Sequence, residues 1–541
     1  MKKVLLLLSV ILLFVSSINA QRYLTPQFSA VSKSTAIYGD NFTVLSLSTA
    51  LAHSARASKF PFPRMAVDIY KPTGDADSAN IAKKRPVMIF FPTGNFLTKD
   101  PRMSPTGDRE DSVGVELCTR FAKMGYVTAS VDYRLGWNPF AADATSRTFQ
   151  LINASYRGIQ DARTAVRYLK LNAAALNIDT SRIMVIGDGT GGYITLGMAT
   201  LDKYSKIFTT SAPAGKFTAL VGATVAPMII EQYNGDIEGK TLGVWPGIAG
   251  IPIPAGDTLC VPNNLGVSSK IQLAVNLGGA LGDYTWLDTA SAPIISIACP
   301  YDLNAPYRDS VLLVPSPAGA LPVVQVQGSH WVALRADSLG VNKAFKKLTA
   351  DYDPYKSFTG ARSAAGYYGS AKYASTYATG LLPLVGRSIQ DASPWQWWNT
   401  DTLKQKWGDR GLTGNPGMSA TKARLYIDSI MTFVAPRACL VLNLPCAGVV
   451  SSTEELLSQN STKLFISPNP AQSAINFESE VYNPMQSIEL FDLSGRSINY
   501  VKNINSSFYQ LNRGSIPNGM YIAKVKFEGG ILSKKIVFDG K

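Results

Sequence analysis

The stretch Arg182-Ile-Met-Val-Ile-Gly187-Asp188-Gly189-Thr190-Gly191-Gly192-Tyr193 decides the fold of this chain. Residues 183–186 are an unbroken apolar run, typical of a strand that is buried on both faces of a parallel sheet. The four glycines that follow allow a turn too tight for larger side chains, and a helical pattern starts near Tyr193. A buried strand, a tight turn and a helix form one step of an alternating strand and helix fold.

The same alternation continues on both sides of this stretch. Short apolar runs predict strands at 65–70, 86–91 and 126–131 before it, and at 271–275 and 294–297 after it. Apolar residues at helical spacing predict helices over 111–123 and 156–175. We therefore expect a doubly wound, mostly parallel α/β sheet with helices on both faces.

Several short motifs in this region resemble the bacterial carboxylesterase/lipase branch of the α/β hydrolases. They are Asp132-Tyr133-Arg134-Leu135 at a strand end, Gln160-Asp161-Ala162 and Arg167-Tyr168-Leu169 on the next helix, and Asn172, Ile178-Asp179 and Arg182-Ile183 before the glycine-rich turn. The resemblance implies the α/β-hydrolase fold and, in an intact member, ester hydrolysis by a triad of serine, histidine and an acid.

The nucleophile that this resemblance requires is missing. In the family the turn reads Gly-x-Ser-Ala-Gly-Gly, and the serine oxygen attacks the substrate carbonyl. Gly187 and Gly191 match that pattern, whereas Gly189 falls where the serine should be. Glycine has no side chain and forms no acyl-enzyme, so we expect serine-hydrolase activity to be lost. The alternative is an active enzyme with an atypical nucleophile, for which Thr190 is the candidate.

The resemblance also assigns the acid and the base. Asp302 lies in a stretch, 298–307, similar to the family's acid loop, although a loop aspartate that caps backbone amides explains it equally well. His330 lies at a suitable distance after Asp302 for the base, and it also suits the first turn of a helix over 330–339. His53 precedes the first core strand, where the family has no catalytic histidine.

The loop that stabilises the oxyanion is altered too. Where the family often has His-Gly-Gly-Gly, this chain has Pro92-Thr93-Gly94-Asn95-Phe96. Backbone N–H groups of Gly94, Asn95 and Thr190 are the candidate donors for an oxyanion hole.

Three tryptophans, Trp395, Trp397 and Trp398, follow one another closely. Exposed tryptophans stack on sugars, and buried ones fill the edge of a core. The sequence leaves both interpretations open.

The N-terminus has the layout of a secretory signal peptide over residues 1–20. Lys2 and Lys3 precede the apolar run 4–15, and small residues lead to a cleavage point before Gln21. Because the residue after the cut is not cysteine, we expect no lipoprotein anchor. No later stretch is long and apolar enough to predict a transmembrane helix.

The C-terminal region has its own pattern. Alternating apolar residues and turns such as Ser494-Gly495 and Asn518-Gly519 predict a small antiparallel β-sandwich. Four motifs resemble the type A sorting domain of the type IX secretion system of Bacteroidetes: 466–470, 488–496, 516–521 and 534–537. The resemblance implies export by that machinery across the outer membrane, followed by removal of the domain. The cargo is then released or attached to surface lipopolysaccharide.

These observations divide the chain into a signal peptide, 1–20, a hydrolase-like domain, 21–446, a polar linker, 447–462, and a sorting domain, 463–541. Five cysteines are present, and the short spacing of Cys439 and Cys446 makes them the candidate disulfide. With two histidines in the whole chain a histidine-rich zinc site is excluded, and we expect neither a metal nor a cofactor.

The net charge of +14 is spread without a dense Lys/Arg cluster, so nucleic acid is not an expected partner. The sequence thus predicts a secreted or cell-surface protein that passes through the periplasm. Its hydrolase fold has lost its chemistry and binds a small-molecule, glycan or protein ligand in the old cleft. A structural or adhesive role of the fold is the remaining alternative.

Overall fold

A computed structural model describes residues 22–42, 64–73, 84–97, 99, 104–208, 215–221, 223–247, 255–256, 258–300, 302, 305–316, 319–348, 378–384, 393–407, 418–446, 449, 464–479, 484–527 and 530–540. The chain divides into a first unit, Met1–Val449, and a second unit, Val450–Lys541. The expected signal peptide, His53 and nearly all of the expected linker lie outside the described residues.

The first unit contains most of the regular structure. Its strands are β1 Ala30–Asp40, β2 Arg64–Thr73, β3 Arg85–Phe91, β4 Val127–Val131, β5 Ile178–Asp188, β6 Thr218–Val221, β7 Thr224–Pro227, β8 Gly243–Val244, β9 Thr258–Cys260, β10 Leu273–Leu277, β11 Ala280–Leu281, β12 Ile294–Ala298, β13 Asp309–Ser316, β14 Gly319–Gly328 and β15 Leu381–Pro383. Its α-helices are α1 Ser112–Lys123, α2 Ala144–Leu171, α3 Ala173–Leu176, α4 Thr190–Thr200, α5 Glu231–Asn234, α6 Ser329–Ser338, α7 Thr400–Trp407 and α8 Ala420–Val441. Short 3-10 turns occupy Tyr204–Ile207, Tyr284–Trp286 and Lys343–Lys347.

Eight of these strands form the central sheet, in the order β1-β2-β4-β3-β5-β10-β12-β15. The first two are antiparallel to their neighbours, and from β4 onward every pairing is parallel. The central strands β4, β10 and β12 are buried at every position, as the apolar runs in the sequence predict. This confirms the doubly wound, mostly parallel α/β fold, and it brings the ends of β3, β5, β10 and β12 to one edge of the sheet.

Helix α2 is longer than its apolar spacing predicts, because its first half is held by polar contacts. It begins at Ala144, not near 156, and the Asp143 side chain caps it by accepting a hydrogen bond from the backbone N–H of Ser146 at 2.8 Å. In the next turns, Arg147 Nε donates to the carbonyl of Pro322 at 2.8 Å, and the hydroxyl of Thr148 lies within the buried interface. Hydrophobic periodicity does not register contacts of this kind.

A buried ion pair ties the end of β4 to helix α2. Both carboxylate oxygens of Asp161 accept from Arg134, one of them from its backbone N–H at 2.7 Å, and both side chains are fully enclosed. The remaining guanidinium N–H groups reach the carbonyl of Leu259 at 2.9 Å and Oε1 of Gln160 at 3.0 Å. A buried charge that is paired and hydrogen-bonded in this way becomes costly when one partner is removed.

The described strand pairings of the second unit are all antiparallel, and one isolated parallel bridge joins Ala471 to Phe538. Its strands are β16 Leu464–Ser467, β17 Ala474–Ser479, β18 Met485–Phe491, β19 Ser497–Ser506, β20 Phe508–Asn512, β21 Gly519–Phe527 and β22 Gly530–Phe538. They form a three-stranded sheet, β16-β17-β20, and a four-stranded sheet, β19-β18-β21-β22. Apolar side chains from both sheets, such as Phe477 and Val525, share one buried core.

Cys439 and Cys446, the candidate pair, form a disulfide at the end of α8. The other three cysteines, Cys118, Cys260 and Cys299, are not disulfide-bonded, and all are buried. Within the described ranges, no helix has the length and apolarity needed to cross a bilayer.

Removal of the carboxylate charge at Asp161 tests the buried ion pair. We expect Asp161→Asn to lower the unfolding free energy of the first unit by about 3–5 kcal/mol, because Arg134 is left as an unpaired buried charge. All eight tryptophans lie in the first unit, so urea unfolding followed by tryptophan fluorescence reports on that unit alone.

Asp428→Asn is the matched control, because Asp428 pairs with Arg120 but its side chain is 58% exposed. It should cost less than about 1 kcal/mol, as exposed pairs do. Equal losses for the two variants would contradict the importance assigned to the buried pair.

Candidate functional site

The turn between β5 and α4 keeps the backbone of a nucleophile elbow. Strand β5 ends at Asp188, helix α4 begins at Thr190, and Gly189 between them has φ 52° and ψ −113°. A Cβ on Gly187 would collide with the carbonyl of Gly191, and one on Gly191 with the carbonyl of Phe91. The glycines are therefore required by close backbone approach, and an L-residue at position 189 would be strained.

The space beside Gly189 is occupied by another residue. A Cβ built on Gly189 would collide with the hydroxyl oxygen of Thr93 and lie 3.0 Å from the Thr93 Cβ. Thr93 follows β3 and is half-buried, and its hydroxyl has no hydrogen bond to any other described residue. The sequence did not indicate this contact, because Thr93 and Gly189 are distant in the chain and their neighbouring strands are joined only in the folded sheet.

Thr190, the sequence-based alternative nucleophile, is held in a hydrogen-bonded chain. Its hydroxyl lies 3.0 Å from the phenol oxygen of Tyr133, which in turn donates to the carbonyl of Pro92 at 2.8 Å. Thr190 is only 8% exposed. Its side chain thus connects the start of α4 to the loops after β3 and β4.

The loop of the candidate oxyanion donors leaves β3 beside the elbow. Gly94, Asn95 and Phe96 all have positive φ angles, of 141°, 53° and 54°. The indole N–H of Trp137 donates to the carbonyl of Asn95 at 2.7 Å and fixes the loop. The oxyanion role of Gly94, Asn95 and Thr190 stays a prediction.

Asp302 lies after β12, close to the elbow. Its Oδ2 is 3.5 Å from a Cβ built on Gly278. The residue before Gly278 is Leu277, whose carbonyl accepts a hydrogen bond from the backbone N–H of Gly189 at 2.8 Å. The Asp302 carboxylate also accepts from the backbone N–H of Ala305 at 3.1 Å. It is therefore placed with the elbow, and it also caps its own loop.

His330 is the second residue of α6 and is buried. Its ring packs against Tyr307, with 5.4 Å between ring centroids, and neither ring nitrogen has a hydrogen-bond partner among the described residues. Burial, helped by Arg308, lowers the pKa of His330 below its ordinary value. The imidazole is thus neutral near pH 7, and no hydrogen bond joins it to Asp302. The roles of His330 as base and of Asp302 as acid stay predictions.

Asp188, next to the elbow, holds a remote segment of the chain. Its Oδ1 accepts from the indole N–H of Trp395 at 2.8 Å, and its Oδ2 accepts from the side-chain amide of Gln396. Burial raises the pKa of Asp188 to about 6, and the hydrogen bonds from Trp395, Gln396 and the Gly189 backbone oppose that shift. No local sequence pattern indicates these contacts, because Asp188 lies far from Trp395 and Gln396 in the chain.

The three tryptophans have different environments. Trp395 is fully buried, which fits the core-edge interpretation. Trp397 is half-buried, with the Arg424 guanidinium 5.4 Å from its ring centroid, and the backbone N–H of Trp398 donates to the sulfur of Met418 at 3.3 Å. Because Trp395 is buried, it cannot form part of an exposed surface on which tryptophan rings stack against a sugar.

A small cavity of about 130 Å³ lies on the β4 side of the elbow. It is lined by Pro92, Gly107, Asp108, Arg109, Asp132, Tyr133 and Leu135. Arg109 crosses it, donating to Asp132 from both its backbone and its guanidinium at 2.8 and 2.6 Å. Its volume is below the roughly 300 Å³ typical of pockets for drug-sized ligands.

Comparisons with known proteins agree with this architecture. The BD-FAE family model matches residues 67–225. The model described as "Secretion system C-terminal sorting domain" matches residues 465–539.

Individual relatives are more distant. Gut esterase 1 of Caenorhabditis elegans is 29% identical over 133 residues, which is 24% of this chain and 22% of that protein's length. Thermogutta terrifontis esterase 2 phosphorylated by paraoxon shares 16% identity at a TM-score of 0.26, over 51% of this chain and 73% of that chain. MGS-M1, an alpha/beta hydrolase enzyme from a Medee basin deep-sea metagenome library, shares 17% at a TM-score of 0.23, over 50% and 72%. Similarity at this level carries no argument about activity.

A sorting domain of this kind implies that the secretion machinery handles the chain and delivers it outside the cell or to its surface. The chain therefore carries an esterase-like α/β-hydrolase domain matching the BD-FAE family, followed by a C-terminal sorting domain of the type IX secretion system.

Proposed function

We propose that this protein is an exported, non-catalytic member of the esterase-like α/β hydrolases, which acts at the cell surface as a binding or structural module. The observation that carries the proposal is the elbow itself. Gly189 supplies no nucleophile, and Thr93 fills the space where a nucleophile's side chain would stand. A hydrolase of this fold needs an oxygen at that point, activated by a base.

The surroundings of the elbow support the loss of activity. A serine or threonine nucleophile is activated by hydrogen bonding to a histidine, which an acid orients in turn. Here the Thr93 hydroxyl and both nitrogens of His330 are without hydrogen bonds among the described residues. This supports a site in which His330 does not activate the Thr93 hydroxyl.

The proposed route to the cell surface combines both ends of the chain. The N-terminal segment of residues 1–20 directs passage into the periplasm and is removed there. The sorting domain then directs passage across the outer membrane of a Bacteroidetes cell. At the surface, the cleft beside the elbow binds a small molecule, a glycan or a protein segment.

One observation favours a second candidate function. Because the Thr93 hydroxyl lies beside Gly189, Thr93 is a better candidate than Thr190 for an atypical nucleophile. A fluorophosphonate distinguishes the two functions: an active Thr93 would form a bond to phosphorus and release fluoride, and mass spectrometry of the labelled peptide would identify the residue.

Assays of the purified protein test the leading proposal. We expect the hydrolysis of p-nitrophenyl acetate and butyrate to stay at the rate of a Thr93→Ala/His330→Ala double variant, because no coupled nucleophile exists. A rate at least tenfold above that variant, or labelling of Thr93, would replace the proposal with the second candidate.

The steric relation between Thr93 and Gly189 gives another prediction. We expect Gly189→Ser alone to lower the unfolding free energy by about 3 kcal/mol, because it combines a strained φ angle with a collision against Thr93. In Thr93→Gly/Gly189→Ser the collision is absent, and about half of that loss should be recovered. Urea unfolding followed by tryptophan fluorescence measures both values.

Thr93→Gly/Gly189→Ala is the matched control. It places an L-residue at the same positive φ angle as the serine double variant does, but it has no hydroxyl group. If Gly189→Ser is as stable as the native chain, Thr93 does not fill the nucleophile's space. Esterase activity that appears in the serine double variant, and not in the alanine one, would show that the remaining site is still competent.

The raised pKa of Asp188 predicts a pH-dependent stability. Since the folded-state pKa is about 6 and the unfolded value is near 3.8, the folded state holds the proton more tightly. Protonation of Asp188 therefore stabilises the folded state fully below about pH 4, and this stabilisation is lost as the pH rises through 6. Relative to Asp188→Asn, the native chain should therefore lose about 2 kcal/mol between pH 4.5 and pH 7.5.

Paired urea titrations of the two proteins at pH 4.5, 5.5, 6.5 and 7.5 measure this difference. The amide of the Asp188→Asn variant also changes the local hydrogen bonds, and this shifts the difference in unfolding free energy by the same amount at every pH. Only the change of that difference with pH therefore reports on the titration of Asp188. A flat difference across this range would mean that Asp188 is ionised throughout.

A further inference from the structure

The four-stranded sheet of the second unit has an outward face on which lysines dominate. We call it the lysine face and define it by Tyr500 and Lys502 on β19, Phe491 on β18, Lys524 and Lys526 on β21, and Lys535 on β22. Residues of β21 alternate between buried and exposed, which places Lys524 and Lys526 on the outward side. Lys524 pairs with Glu489 on β18, and Glu489 pairs with Tyr500 on β19. In the neighbouring row, Lys526 pairs with Ser487, and Ser487 pairs with Lys502.

The charge of this face is strongly one-sided. The four strands together contain five lysines and a single acidic residue, Glu489. Glu489 is half-buried, and its carboxylate accepts a hydrogen bond from the Ser497 hydroxyl at 2.7 Å. Of the five lysines, only Lys534 lies on the other side of the sheet, because it pairs with the inward-facing Ala523. Four lysines therefore share one face, with one acid among them.

The face is also partly apolar. Tyr500 is 50% exposed and Met520, on the same side of β21, is 38% exposed. Ile522 is half-buried between Phe491 and Lys535. An outward sheet face in contact only with water has little reason to expose these side chains together with clustered like charges.

The two aromatic rings on the face are already in contact with ammonium groups. Lys502 Nζ lies 4.8 Å from the Tyr500 ring centroid, and Lys524 Nζ lies 4.6 Å from that of Phe491. A ring covered by a cation is a poor platform for stacking on a sugar, whereas the aliphatic groups of Met520 and Ile522 suit a protein interface. These contacts favour a protein partner over an anionic polysaccharide.

We propose that the lysine face of the second unit docks onto an acidic protein surface during export. Lysine side chains around an aliphatic centre are complementary to carboxylates around an apolar patch, and such complementarity accelerates association and sets orientation. The inference rests on the proposed export through the sorting domain, and it identifies which surface of that domain makes the contact.

Charge reversal in the full chain tests the proposal in a bacterium that has the type IX secretion machinery. In the face variant, Lys524→Glu, Lys526→Glu and Lys535→Glu are combined. We expect the amount of protein outside the cell to fall at least about fivefold, with full-length chain accumulating inside, because repulsion replaces attraction at the docking step. Immunoblots of the cell and external fractions measure this.

The matched control reverses three exposed lysines away from the face: Lys203→Glu, Lys404→Glu and Lys534→Glu. It changes the net charge equally and should be exported like the native chain. Both purified variants should unfold at the native temperature to within a few degrees, which separates a docking defect from a folding defect.

Two outcomes overturn the proposal. The first is a face variant that folds and is exported like the native chain. The second is a purified face variant that loses binding to an anionic polysaccharide while its export is unchanged, since this would assign the face to a polysaccharide. Deletion of residues 465–539 tests the proposed export route separately from the lysine face. If the chain without these residues is still exported, the proposed route is wrong, whatever result the face variant gives.

Discussion

The close approach of three backbone segments at the end of β5 is the constraint on which the rest of the first unit depends. Strand β5, helix α4 and the end of β3 meet where a Cβ on Gly187 or Gly191 would collide with a carbonyl group. The glycines therefore serve packing first and chemistry second. This explains how the turn keeps its backbone shape although the residue that would carry out the reaction is absent.

Glycine at 189 also removes a strain that a serine would bear, of the order of 1–3 kcal/mol.

The sequence predicted the parts of the fold that depend on local pattern. The central strands appear as apolar runs because both of their faces are buried, and the second unit alternates because one face of each sheet is exposed. The first half of α2 was missed because polar side chains such as Arg147 hold it in place. Its cap at Asp143 was the available signal, and it precedes the apolar pattern by several residues.

The candidate site was harder to predict, for a physical reason. Gly189, Asp302 and His330 were recognised one by one, yet their relation depends on how β5, β12 and α6 pack. The contact of Thr93 with Gly189 and the hydrogen bond of Asp188 with Trp395 join residues far apart in the chain. No periodicity or local motif encodes such pairs. Thr93 could have been singled out only as a β-branched residue in a loop where the family has glycine.

The first described residues of the first unit lie beside its disulfide loop. The backbone N–H of Tyr23 donates to the carbonyl of Met124, and the carbonyl of Arg22 lies 3.5 Å from the sulfur of Cys446. Residues 22–23 and the loop closed by Cys439 and Cys446 are thus neighbours. A short peptide would be enough to join them into a closed ring, and new termini could then be opened in a surface loop without disturbing the sheet.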